Sequence, residues 1–140
     1  MIVDASVWVA SVLDKDAHHD VCLAFMHRFV KERQIAVVPL LVWPEIAGAV
    51  ARRTEDPERG NKVAELIAAK TWVRGVPLDA SLAHESMLLA ARLRLRGADA
   101  VYVSLAAAYH EPLLTLDAEM LERAGGVVKV FTPEQWLQTH

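Results

Sequence analysis

At 140 residues, 54% of them apolar, the chain can bury a substantial core and is too rich in Leu, Val and Ala to be disordered, so one domain spanning residues 1–140 is expected. A net charge of −3 excludes nucleic-acid binding by blanket basicity, though not a nuclease in which a metal and a few arginines supply the local positive field. No apolar run reaches the roughly 18 to 20 residues of a membrane span, Asp4 would interrupt a leader segment, and Cys22 is the only cysteine. The cytoplasm is the expected compartment, and Cys22 reads as core filling rather than a nucleophile.

Residues 1–4 read as a short buried strand ended by Asp4, and residues 5–13 as a helix with Ser6 available as its cap. A second helix covers 16–31, and a second strand, 35–38, is closed by Pro39. The next helix, 41–53, tolerates Pro44 in its first turn, where the backbone N–H has no intrahelical partner. Thr54-Glu55-Asp56-Pro57 is a loop and cap signal before a helix over 57–69, and 72–76 is a third strand. Asp79 then caps a long helix to Arg96, with Leu82, Leu89 and Leu93 on one face and Gly97 as its stop. Asp99 opens an almost wholly apolar helix, which predicts burial on most sides. Residues 113–116 form a fourth strand, 118–124 a short helix ending at Gly125-Gly126, and 127–131 a fifth strand, before Thr132-Pro133-Glu134 starts the last helix. Strands alternating with helices predict parallel pairing and helices on both faces, a three-layer α/β/α sandwich.

Four acids, Asp4, Glu45, Asp99 and Asp117, stand at or near element starts. Each has a structural alternative. An Asp before a helix is a favoured N-cap worth about 1 kcal/mol, and Glu45 near a helix start is favoured by the macrodipole. Their surroundings argue for more. Asp4 and Asp117 each end an apolar strand, at the carboxyl edge where open α/β sheets build their sites. Asp99 is the only charge from Gly97 to Tyr109, and a carboxylate drawn into an apolar setting needs a partner. Thr115 lies two residues before Asp117, on the same face of a strand, and Ser6 lies two residues after Asp4. Carboxylates gathered at one edge repel unless a cation sits among them, and oxygen ligands without Cys or paired His suit Mg²⁺ or Mn²⁺.

The order V-D-A-S, P-E-I, G-A-D-A-V-Y-V-S-L-A and L-L-T-L-D resembles the PIN domain, in particular VapC-type toxins of bacterial and archaeal toxin–antitoxin pairs, over nearly the whole chain. The segments around Asp99 and T-L-D are the most specific, and Pro44 directly before the acid departs from the usual pattern. By position, the family's acidic quartet falls on Asp4, Glu45, Asp99 and Asp117, and its supporting hydroxyls on Ser6 and Thr115. The resemblance implies a five-stranded parallel sheet, a Mg²⁺- or Mn²⁺-dependent endoribonuclease, a homodimer and inhibition by a small antitoxin. Metal held by Asp4, Asp99 and Asp117 would activate a water for in-line attack at phosphorus, with Glu45 orienting or deprotonating that water or completing a second metal site.

Arg92 and Arg96, four apart, are expected to share a helix face and to hold RNA phosphates. Arg52-Arg53 reads as helix-end charge, the histidines show no metal spacing, and the four tryptophans read as core or interface rather than base-stacking platforms. Trp8, Val9 and Val12, with Val21, Phe25 and Phe29, would form a groove for an amphipathic partner helix. Competing functions fit less well. A receiver-type phosphoacceptor wants paired acids after the first strand, a phosphatase with an Asp nucleophile wants a second Asp where Ser6 stands, and a catalytically inactive binding module has no need of all four acids.

Overall fold

The computed structural model describes residues 1–140 as a five-stranded, wholly parallel sheet flanked by eight helices. In chain order these are β1 (Ile2–Val3), α1 (Ala5–Val12), α2 (His19–Lys31), β2 (Ala36–Pro39), α3 (Val42–Thr54), α4 (Pro57–Ala68), β3 (Val73–Val76), α5 (Ala80–Leu93), α6 (Gly97–Tyr109), β4 (Leu113–Leu114), α7 (Ala118–Arg123), β5 (Val130–Phe131) and α8 (Pro133–Thr139). The expected α/β/α class is therefore observed. No helix is long and apolar enough to cross a membrane.

The strand order, β3-β2-β1-β4-β5, positions the site. From β1 the chain builds outward through β2 and β3, then returns to lay β4 on the other side of β1 and β5 beyond it. The direction of winding thus reverses between β1 and β4, which pair through Ile2 with Leu113 and Val3 with Leu114. Helices leaving two such neighbouring strands diverge, and a crevice opens at the carboxyl ends. Asp4 is the residue after β1, and Thr115 and Asp117 follow β4.

β1 and β4 lie fully inside, with Ile2, Val3, Leu113 and Leu114 all at 0% exposure, which is why they are apolar without alternation. α6 packs against β1, β2 and β4, with α5 laid over it, so its Ala100–Ala106 run is buried as its composition requires. The tryptophans expected in the core are largely there. Trp8 stacks on Trp72 with centroids 5.6 Å apart, and Trp136 meets Phe25 edge-on at 5.0 Å. Cys22 is buried too, its thiol pushed up to about 12 by desolvation, which leaves it inert at neutral pH.

Three expectations need correction. Ser6 does not cap α1; it is the second residue of that helix, and its hydroxyl serves the site described below. The helix from Asp79 ends at Leu93 rather than Arg96. Arg94 takes a left-handed conformation at φ 54°, and Gly97 begins α6 instead of stopping α5. The apolar groove offered by α1 and α2 is filled at its aromatic positions, with Val12 and Val21 left half-buried. Trp8, Phe25 and Phe29 are at most 2% exposed, and α8 supplies Trp136 to cover the aromatic face from within the chain.

Candidate active site at the carboxyl edge of the sheet

Asp4, Glu45, Asp99 and Asp117 line one cleft of about 320 Å³, together with Ser6 and Arg96. Four separate elements deliver them, and local structure explains each. Asp4 closes β1 and is the backbone N-cap of α1 without a capping hydrogen bond from its side chain. Its carboxylate points elsewhere: Oδ2 accepts from Ser6 Oγ at 2.5 Å and from Thr115 Oγ1 at 2.8 Å. The two hydroxyls are themselves held. Ser6 Oγ accepts from the Leu116 N–H at 3.1 Å, and Thr115 Oγ1 from the Asp117 N–H at 3.0 Å. This net ties the end of β1 to the end of β4 and leaves Asp4 Oδ1 without a hydroxyl partner. Burial pushes the Asp4 carboxyl above its ordinary range, the two hydroxyls oppose that, and the charge of Asp99 adds to it.

Asp99 is the third residue of α6, inside its first turn rather than its cap, and desolvation raises its carboxyl as well, against the pull of Arg96. Asp117 does serve as an N-cap: Oδ1 accepts from the Met120 N–H at 2.9 Å. Its Oδ2 remains for the cleft. Pro44 and Glu45 sit third and fourth in α3, so the proline falls in the first turn, where it breaks no helical bond, and the Glu45 N–H reaches Leu41 O at 3.3 Å.

Glu45 has a partner that the sequence reading missed. The Tyr102 hydroxyl donates to Glu45 Oε1 at 2.8 Å from a fully buried ring on α6. Burial pushes the Glu45 carboxyl up to about 7; the Tyr102 bond opposes this, and repulsion from Asp4 and Asp99 reinforces it. Tyr102 lies three residues after Asp99, the spacing that puts two side chains on one helix face, and that signal was available in the sequence.

Arg96 bridges the acids: Nε donates to Asp99 Oδ2 and Nη2 to Asp117 Oδ2, both at 3.0 Å. It is 71% exposed, so it covers the cleft from the solvent side. Arg92 does not join it. With α5 ended at Leu93, Arg92 lies in a separate depression beside Arg94, Glu122 and Arg123. The expectation of a shared helix face therefore fails. Arg52 and Arg53, read as plain helix-end charge, line a second cleft that adjoins the acidic one.

As placed, no three Asp, Glu, His or Cys side chains close into a metal cage. Arg96 lies where a cation would have to enter. The donor set still suits a hard divalent ion: every group is an oxygen, three of the carboxyls are held up by desolvation, and the competing guanidinium is exposed enough to swing away. A larger cavity, about 780 Å³ beside Trp136 and His110, lies toward the opposite end of the strands and has Glu111 as its only acidic side chain, so size does not mark the chemistry here.

The chain belongs to the PIN domain family, whose sequence profile matches residues 1–126. No curated protein matches it. Among solved structures it is similar to VapC20 of Mycobacterium tuberculosis, a sarcin–ricin loop cleaving toxin, at 22% identity and a TM-score of 0.74 over 92% of this chain and 97% of that one. It is also similar to FitAcB of Neisseria gonorrhoeae, at 16% identity and a TM-score of 0.71 over 95% and 97% of the two chains. DNA-bound VapBC of Salmonella typhimurium gives 16% identity and a TM-score of 0.69 over 94% and 96%. At these identities the likenesses speak for the fold, and the family assignment rests on the sequence match.

Proposed function

We propose that this chain is a Mg²⁺- or Mn²⁺-dependent endoribonuclease that acts as the toxin of a toxin–antitoxin pair. The observation that carries this reading is the delivery of Asp4, Glu45, Asp99 and Asp117 into one cleft at the switch point of the sheet. Membership of the PIN family supports it, as does the likeness to a loop-cleaving toxin.

In this reading Asp4 Oδ1, Asp99 and Asp117 hold the cation, which when bound supplies Lewis-acid polarisation of a phosphate oxygen and a lowered water pKa. Ser6 and Thr115 fix Asp4 so that one oxygen is committed to the protein and the other is free. Glu45 would take the proton of the attacking water, and the desolvation that holds its carboxyl above the ordinary range favours that role. In-line attack breaks the bond from phosphorus to O3′ and leaves a 5′-phosphate and a 3′-hydroxyl. Arg96, exposed at the mouth of the cleft, would meet the substrate phosphate once it no longer bridges Asp99 and Asp117. Arg92 lies off the cleft and would act only as a peripheral contact.

The partners of this reading are RNA, a small antitoxin and a second copy of the chain. The solved likenesses include toxin–antitoxin assemblies. Leu78, Met87 and Leu88, 46%, 56% and 49% exposed on and beside α5, are apolar side chains open to contact with a second copy. The test is incubation of the purified protein with total RNA, with and without Mn²⁺, alongside its Asp4→Asn variant. Mn²⁺-dependent cleavage by the parent alone is expected. Equal cleavage by the variant, or none by either, would overturn the reading.

A further inference from the structure

The cleft that adjoins the acids has a volume of about 550 Å³, in the range of small-ligand sites. It shares Ala5, Ser6, Glu45 and Leu116 with the acidic cleft, so the two form one continuous groove. Its bed is small and apolar, from Ala5, Val9, Pro44, Ala49 and Leu116, and its far end carries Arg52 and Arg53. These two arginines differ. Arg53 is tied to Asp16 at 2.6 Å. Arg52 makes no ion pair or side-chain hydrogen bond and keeps its donors unused.

The orientation of Arg52 follows from the helix. Arg52 stands seven residues after Glu45, about 10 Å along α3 and nearly in line with it. Helical side chains lean toward the N-terminus, and Gly48, between the two, has no side chain in the way. Arg52 Nη1 comes within 3.2 Å of where a Gly48 Cβ would sit, so the guanidinium is laid back along the helix toward Glu45. Gly48 stands three residues, about 4.5 Å, beyond Glu45 along the helix, so at a stacked rise of about 3.4 Å the guanidinium laid against it is roughly one nucleotide of strand from Glu45.

We propose that this second cleft is a nucleotide subsite, in which Arg52 holds an RNA phosphate flanking the scissile one and the small apolar bed takes the attached ribose or base. The proposal rests on the ribonuclease reading. An acidic peptide would also offer anions to Arg52, but it would have to lie against Asp4 and Glu45, whose charge a phosphodiester meets only when a divalent ion offsets it. A strand of RNA is therefore the favoured occupant.

The experiment uses a fluorescein-labelled single-stranded RNA dodecamer of mixed sequence, with binding measured in Ca²⁺ across a salt series and cleavage of total RNA measured in Mn²⁺. Arg52→Gln should weaken dodecamer binding about tenfold and flatten the salt slope by about 0.7, the value of one phosphate contact on a single strand. Its KM should rise while kcat stays within about twofold, and Arg52→Lys should restore part of the affinity. Arg74→Gln, which removes the same charge from β3, should bind as the parent does. Equal losses in Arg52→Gln and Arg74→Gln would reduce the effect to net charge and overturn the proposal. So would a loss confined to binding of a co-expressed antitoxin, with RNA affinity and KM unchanged. Parent cleavage with no change in Arg52→Gln removes the subsite and leaves the nuclease; a parent that neither binds nor cleaves RNA removes both.

Discussion

Glu45 gives the sharpest prediction, because its carboxyl is displaced to about 7 from the ordinary 4.5 and the cause is visible. A carboxyl that folding makes harder to ionise binds its proton more tightly in the native state than in the unfolded one. It therefore contributes stability that is complete below 4.5 and lost as the pH rises through 7. Taken whole, such a displacement is worth ~3 kcal/mol. Glu45 is only half-buried, and solvent screening reduces the figure to about 1 kcal/mol. The perturbation is Glu45→Gln, which keeps the shape and the hydrogen bond from Tyr102 but cannot ionise. Metal-free protein is unfolded thermally in EDTA from pH 4 to pH 8. The variant should match the parent near pH 4 and exceed it at pH 8 by about 3–5 °C, as ~1 kcal/mol implies at this chain length. Asp4 and Asp99 tilt the parent's curve in the same direction and remain in the variant, so the difference between the two curves isolates Glu45. Parallel curves over this range would refute the reasoning, because the carboxyl would then be ionised in the folded state as readily as in water.

Other outcomes follow from the same geometry. Arg96→Gln should lower the thermal midpoint of the metal-free protein, because Asp99 and Asp117 lose their shared counter-ion, and should enlarge the rise in that midpoint on adding Mn²⁺; a smaller rise would contradict the competition between guanidinium and cation. Thr115→Val, at a fully buried position, removes the bond to Asp4 and orphans the Asp117 N–H, and should cost about 1–3 kcal/mol in chemical denaturation. Gly60→Ala should cost about 1–3 kcal/mol by overpacking, because its Cβ would lie 2.4 Å from the Ala47 carbonyl oxygen where α3 and α4 meet; an unchanged denaturation midpoint would show that the helices separate freely.

The acids were legible in the sequence because of where they fall. Asp4 and Asp117 end apolar strands, and a two-residue spacing put Thr115 beside Asp117 on the chain. That spacing did not reveal that Thr115 donates to Asp4, a contact across 111 positions that only the pairing of β1 with β4 creates. The end of α5 was misread because Arg94, with no glycine to signal it, adopts the left-handed conformation. The α1–α2 groove was misread because the amphipathic faces of the two helices do seek partners, but α8 of the same chain provides the cover. Tyr102 was lost in an apolar run where it looked like filling, and Arg52 at a helix end where charge is commonplace; each acquires its neighbourhood only through tertiary packing.

In the proposed function three aspartates drawn from separate elements hold one divalent cation. Titration of Mn²⁺ into the metal-free protein, followed by electron paramagnetic resonance, tests it without reference to RNA. The account predicts a bound Mn²⁺ signal in the parent that is lost or greatly weakened in Asp4→Asn and in Asp99→Asn, while both variants remain folded and, relieved of repulsion in the cleft, unfold at or above the parent's temperature without metal. Undiminished Mn²⁺ binding by folded Asp99→Asn protein would contradict it.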